Sequence, residues 1–313
     1  MEVEQRVALE MLDEEHEKLG QCPVDHNVYT LGSIGGHNVV IAGLPTPGNN
    51  PAATVITQMR NTFQGLRLAL LVGIGGGVPT ETDNGTVQLG DVVVSKPEGQ
   101  HSGAVQYDHG KAEVGQFRQT GCLAPPPAVL LNAAQDLAVK RFRKSKDPIM
   151  ENIKRIDTNR PDLRKYRYPG AAEDRLYEPD YVHLDSKASC DKCGCDGNRR
   201  VQRDVDNVSD DPHIVVHRGT IASGEKVIKD GLLRDQLAKE YGVLCFEMEA
   251  AGALADFPCI VIRGISDYCD SHKNNRWHGY AAAAAAAYAR QLFFHMPIGE
   301  VRRCVLALGI KYS

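Results

Sequence analysis

Apolar residues along this chain switch between helical and strand-like spacing. Val3 to His16 carries apolar positions at helical intervals and predicts an amino-terminal helix. Val28–Ile34 and Asn38–Ala42 read as two short strands, and Gly35-Gly36 between them gives a hairpin signal. Pro45 to Pro51 is a loop by composition, and Ala52–Thr62 returns to helical spacing. Leu68-Ala69-Leu70-Leu71-Val72 is a continuous apolar run closed by Gly73-Ile74-Gly75-Gly76-Gly77, which predicts a buried strand ending in a tight turn. Asp91–Ser95 reads as another strand and Pro127–Arg143 as a helix. After a long interruption come strand Ile214–Ile221, helix Val227–Tyr241, strand Val243–Phe246, helix Glu249–Ala255, strand Cys259–Arg263 and a last helix holding Ala281–Ala287. Alternating strands and helices on both sides of the interruption predict one layered α/β domain.

The interruption, 144–212, is richer in charge and proline and loses apolar periodicity, so it is expected to be a partly disordered insertion. The domain is then placed at 1–297, with 298–313 as a carboxy-terminal tail. A net charge of −4 gives no general attraction to nucleic acid or anionic lipid, so neither is expected as a partner. No apolar run approaches the ~20 residues of a membrane span. The first residues lack a basic region followed by an apolar one, so no secretory signal is visible. Nine cysteines is an odd number, and Cys245 and Cys259 sit in apolar runs. That usage fits buried thiols in a reducing, cytoplasmic setting, and makes the sequon Asn207-Val208-Ser209 incidental.

Ligands of α/β folds collect at the carboxyl ends of strands. Three segments put special residues there. The glycines of 73–77 permit close backbone approach to an anion or a flat ring, although a structural turn reads equally well. Neither a P-loop nor a dinucleotide fingerprint is spelled there. Phe246-Glu247-Met248-Glu249-Ala250 places two carboxylates at a strand-to-helix junction. Acids at a helix start are common, but one inside so apolar a run needs a partner, such as a pair of sugar hydroxyls. Asp267 lies just past an apolar strand, where desolvation favours its protonated form and makes it a usable acid; a helix cap is the alternative.

Gly-Ile-Gly-Gly-Gly after a buried strand, Leu89-Gly90-Asp91-Val92-Val93-Val94-Ser95, Ile221-Ala222-Ser223-Gly224, Phe246–Ala250 and Ile265-Ser266-Asp267 occur in one order and spacing. Together they resemble the nucleoside phosphorylase/nucleosidase superfamily, and in particular its fungal branch, from about Glu4 to His295. The resemblance implies a three-layer α/β/α sandwich with a central mixed sheet. It also implies cleavage of the N-glycosidic bond of a purine nucleoside, by phosphorolysis or hydrolysis, without a cofactor or resident metal. By matching positions, Asp267 would protonate purine N7 and Glu249 would accept both ribose hydroxyls. Met248 would pack on the sugar, Val227 and Ile228 would line the base, Gly75 and Gly76 would border the pocket, and Glu247 would point away. Family members assemble as homo-oligomers, so one is expected here.

Two departures from the family pattern stand out. Where many relatives have a hydroxyl residue in the glycine-rich turn this chain has Ile74, and any phosphate clamp would fall to Arg67 or Arg263. Relatives begin with a buried first strand leading to a catalytic glutamate; here Glu4 falls on that glutamate and the strand before it is missing, which predicts unpaired backbone and a cavity. The second reading is therefore a catalytically impaired nucleoside-sensing or effector module of a larger signalling protein. Outside the site, Cys190-x-x-Cys193-x-Cys195 can bind zinc with His183 or His213, but a single knuckle equally suits free or oxidised thiols. The basic residues of 140–167 read as a solvated helix face. His272-Lys273-Asn274 and Trp277 either close over the site or anchor the last helix.

Overall fold

The computed structural model describes residues 2–143, 145–185, 188–203 and 212–298. The amino-terminal part runs α1 (Glu2–Leu9), β1 (Glu14–His16), β2 (Tyr29–Ile34), β3 (His37–Ala42), α2 (Asn49–Thr62) and β4 (Ala69–Gly77). Short strands follow as β5 (Glu81–Thr82), β6 (Gly85–Thr86), β7 (Val92–Ser95), β8 (Ala104–Gln106), β9 (Gly110–Glu113) and β10 (Gln116–Gln119). Then come α3 (Ala128–Lys140), α4 (Pro148–Ile153) and the single turn α5 (Cys190–Cys193). The chain ends in β11 (Val216–Ser223), α6 (Gly231–Tyr241), β12 (Val243–Glu247), α7 (Ala250–Asp256), β13 (Cys259–Asp267) and α8 (His278–Phe293).

The fold is α/β around a mixed sheet of order β12-β4-β13-β7-β11-β8. The expected open sandwich is corrected in one respect. β11 also pairs with β12, in parallel from Thr220 to Ser223, so five of the strands close on themselves and β8 is appended outside. Alternation along β13 explains how both sides are filled. Ile260 and Ile262 pack with Val92, Leu130, Leu137 and α8, whereas Val261 and Ile265 meet Val93, Ile221, Cys245 and α7. The seven alanines of α8 are all buried, because small side chains let the helix lie close on the sheet: Gly264 has room for no side chain above the Ala281 carbonyl.

Several local expectations change. The first helix stops at Leu9, and Glu14–His16 is a strand pairing with β2. Backbone pairing alone holds that strand, and its charged side chains gave no apolar alternation to read. Residues 73–77 do not turn. They continue β4 beside β13, with no positive φ among them. Glycine is required there for space: a Cβ on Gly76 would lie 2.1 Å from Cys269 Sγ and 2.8 Å from Asp267 Oδ1. Much of the segment expected to be a partly disordered insertion is packed. Asn152 of α4 donates to the Ala287 carbonyl of α8 at 3.2 Å, and Leu163, Tyr166 and Tyr177 are buried. The sequon at 207–209 and nearly all of the 298–313 tail lie outside the described residues.

One edge of β4 is not covered by the sheet. Ala69–Gly75 pair with β13, and β12 joins only at Gly76 and Gly77. A cavity of about 580 Å³ lies along this edge, lined by Val39–Ile41 of β3, Val55 and Met59 of α2, Leu68–Val72 and Phe293. It runs to Glu4, Glu249 and Arg263 at the other end.

Candidate active site

The last residues of β4, β12 and β13 overlap in space. Gly76 is paired with Phe246 on one side and with Asp267 on the other. The two flanking strands thus deliver Glu249, just beyond β12, and Asp267, the end of β13, to either side of a stretch with no side chains. Asp267 is therefore the last strand residue, not a residue beyond the strand or a helix cap.

On the Asp267 side the carboxylate is 3% exposed and fully engaged. Oδ1 accepts the Cys269 N–H at 3.0 Å, and Oδ2 accepts the Ser266 hydroxyl at 2.9 Å and Lys273 Nζ at 2.8 Å. Burial works against the Lys273 ammonium, but the Asp267 charge outweighs it and holds Lys273 above its ordinary value. Lys273 thus closes over the site, and Trp277 anchors the segment instead, its indole donating to the Glu173 carbonyl at 3.0 Å. Arg234 Nη1 fixes the following backbone by donating to the Tyr268 carbonyl at 2.8 Å.

On the Glu249 side the organiser is Arg263, buried in the middle of β13. It pairs with Glu247 through a short contact and with Glu249 at 3.1 Å. Burial opposes its charge, and the fields of Glu247, Glu249 and Glu4 together hold its pKa above the ordinary arginine value. Glu247 is buried. It accepts the N–H groups of Glu249 and Ala250 at 3.0 Å, and burial pushes its carboxyl up against the pull of Arg263. Glu249 itself is held loosely, accepting the Gly48 and Met248 N–H groups at 3.4 Å each. Its remaining lone pairs are available to a hydroxylated ligand. Ser223 and Asn49 fix the start of α7 by accepting the Ala251 and Gly252 N–H groups at 2.9 and 3.0 Å.

The other residues singled out from the sequence distribute unevenly. Met248 is half-buried beside Glu249. Gly75 leaves no space for a Cβ, which would sit 3.0 Å from the Phe246 carbonyl. Ile228 packs with Tyr107, Phe246 and Cys269, but Val227 next to it is 53% exposed. Their loop is pinned by Tyr107 Oη donating to the Lys226 carbonyl and by Asp108 accepting the Glu225 N–H. Glu4 reaches in from α1, its Oε1 accepting the Ile74 N–H at 2.9 Å. Neither arginine considered as a phosphate clamp is placed for it. Arg263 is committed to Glu247, and Arg67 lies before β4, at the opposite end of that strand from Gly76. Asp91 has a structural task, bonding His217 at 3.1 Å and the Val215 and Gln88 N–H groups.

The family model described as the phosphorylase superfamily matches residues 162–293. A nucleotide-binding leucine-rich repeat (NLR)-like protein of Hyaloscypha variabilis is 46% identical over 91% of this chain. Residues 162–293 belong to the phosphorylase superfamily. The match to the superfamily runs from ahead of α5 through α8 and so includes Val227, Ile228, Met248, Glu249 and Asp267, while Gly75, Gly76 and Glu4 precede it. The chain spans 27% of the length of the NLR-like relative. A shorter stretch, 26% of the chain and 17% of the relative, is 36% identical to an ATP nucleosidase, Cap17, of Escherichia coli. Superfamily membership is matched by the fold. The 5′-methylthioadenosine/S-adenosylhomocysteine nucleosidase of Neisseria meningitidis, solved with methylthio-immucillin-A, superposes with a TM-score of 0.57 at 16% identity, covering 94% of this chain and 95% of that one. Among the described residues no helix is long and apolar enough to cross a membrane.

Proposed function

We propose that this domain binds a purine nucleoside or nucleotide and cleaves its N-glycosidic bond, with water as the acceptor. The observation that carries the reading is the delivery of Glu249 and Asp267 to the two sides of Gly75–Gly76. Ribose hydroxyls donate to the loosely held Glu249, Met248 packs on the sugar, and Ile228 closes the base side. The base lies over Gly75 and Gly76, where no side chain obstructs it. As the C1′–N9 bond breaks, its electrons pass to the purine, and Asp267, protonated once Lys273 has been displaced from it, gives that proton to N7. Water forms the new bond to C1′ and leaves its proton on Glu4. Charge builds on sugar and base as in other glycosyl cleavages, and the flanking carboxylates answer it.

Hydrolysis is favoured over phosphorolysis because Arg263 is neutralised by Glu247 and Ile74 offers no hydroxyl. Lys273 sets the condition for turnover: a purine whose N7 faces Oδ2 must displace Nζ from it. That contact, with the NLR-like relative, favours a second reading, in which the domain senses a nucleoside for a larger protein and turns over slowly. Free-base release from adenosine, inosine, methylthioadenosine and ATP, with and without phosphate, tests both. Release unaffected by phosphate is expected. Strict dependence on phosphate overturns the hydrolytic reading, and tight binding without release selects the sensor.

A further inference from the structure

A second cluster of reactive side chains lies outside this pocket. His183, Cys190 and Cys195 each offer one ligand atom, and these atoms lie within 4.8 Å of one another. Local backbone geometry builds the cluster. Cys190–Cys193 forms one helical turn, started by Ser189 Oγ accepting the Lys192 N–H at 3.4 Å. Gly194 then takes φ +64, a left-handed conformation suited to glycine, and the chain reverses so that the Cys195 N–H donates to the Cys190 carbonyl at 3.0 Å. Cys195 is thereby folded back over Cys190. Cys193, on the same turn, makes only a weak 3.8 Å contact from its thiol to the Asp185 carbonyl.

His183 supplies the independent observation. It is 8% exposed, and its Nδ1 is buried with no hydrogen-bond partner. A buried, unsatisfied imidazole nitrogen costs roughly 1–3 kcal/mol. Its placement beside two thiols gives it a partner only if something electrophilic lies between them. Its backbone N–H donates to Ser271 Oγ at 2.8 Å, and its ring meets His272 edge-on at 5.2 Å. His272 is stacked on Tyr177 at 4.0 Å, so the imidazole is held on a rigid aromatic platform.

We propose that His183, Cys190, Cys193 and Cys195 form a structural zinc site that clasps the 176–200 segment to the Asp267–Lys273 segment. Three thiolates and one imidazole are a common tetrahedral zinc set, with ligand atoms ~3.5–3.8 Å apart. The spread of up to 4.8 Å among His183, Cys190 and Cys195 would have to contract by about 1 Å, and Cys193, on the same helical turn, would have to swing from the Asp185 carbonyl to become the fourth ligand. His213, the other histidine considered from the sequence, is exposed and stands outside the cluster. Each cysteine releases its thiol proton on binding, and nothing is oxidised or reduced. Ser271 couples the site to the pocket, since it bonds His183 and lies between Asp267 and Lys273.

The test is metal analysis of the whole chain purified under reductant, with cobalt(II) added to metal-stripped protein. About one zinc per chain is expected, as is a cobalt spectrum with thiolate charge-transfer and tetrahedral bands. Cys190→Ser and Cys195→Ser should each lose the stoichiometric metal, whereas Cys122→Ser, at an exposed thiol, should keep it. Wild-type protein with reduced thiols, no bound zinc and no cobalt bands would overturn the proposal. So would a Cys190–Cys195 disulfide in place of metal. These readouts do not depend on turnover, so they stand apart from the proposed nucleoside chemistry.

Discussion

Glu249 and Asp267 stand on the two strands flanking Gly75–Gly76, yet their carboxylates are held in opposite ways. Asp267 is closed in, with three donors at 3.0 Å or less, one of them an ammonium. Glu249 has backbone bonds at 3.4 Å, shares Arg263 with Glu247, and sits at the end of the long cavity beside β4. The difference teaches that the two halves of the pocket are prepared to different degrees. The Glu249 half, which in the proposed function takes the sugar, has acceptor capacity left for a ligand. The Asp267 half, proposed to face the base, is satisfied by the protein itself and would have to exchange a partner before acting.

Variants on each side sharpen or break this contrast. Arg263→Met should have the largest effect on the fold, because it leaves Glu247 buried without its counter-charge. A loss of about 3–5 kcal/mol is expected in denaturant unfolding; a loss below about 1 kcal/mol would show that the carboxylates are not organised by Arg263. Glu249→Gln should weaken nucleoside binding by roughly tenfold to a hundredfold, the worth of charge-assisted bonds to two hydroxyls, with little change in Tm. Unchanged affinity by calorimetry would remove the sugar half of the account.

Lys273→Met should raise the rate of base release by about two- to tenfold, because the ammonium then no longer competes for Asp267 Oδ2. A fall in rate would mean that the lysine assists the acid. Asp270→Asn is the mildest probe of how dry the Asp267 side is. Burial pushes Asp270 from 3.8 up to about 6. The folded state therefore holds a proton there that the unfolded state has already lost, and stability falls as pH rises from about 4 through 6. The asparagine variant should flatten that fall and be about 1–2 kcal/mol more stable at neutral pH. A wild-type stability curve with no decline over this interval would show the side to be wetter than described.

Sequence reading reached the apolar strands and the α/β class, because both have a local signal in apolar runs, and it singled out Glu249 and Asp267 as acids that break such runs. What it missed depends on distant parts of the chain. Closure of the sheet needs β11 to meet β12, and no local pattern encodes that pairing. The glycines of 73–77 read as a turn, since glycine's tolerance of unusual φ and its lack of a side chain look alike in sequence; here space decides. Arg263 was considered from the sequence only as a phosphate clamp, and its partners Glu247 and Glu249 became visible only when β12 was brought alongside. The packed 148–203 segment hides its buried tyrosines among charges, so its order was invisible to periodicity.

The most direct test joins both halves in one variant. Asp267→Asn keeps the shape of the site and Glu249, and removes the proton that must reach the purine. Binding of a nucleoside by calorimetry should stay within a few-fold of wild type, while free-base release falls by about 10²–10⁴. Release that continues at the wild-type rate, or binding lost together with release, would contradict the division of labour between Glu249 and Asp267.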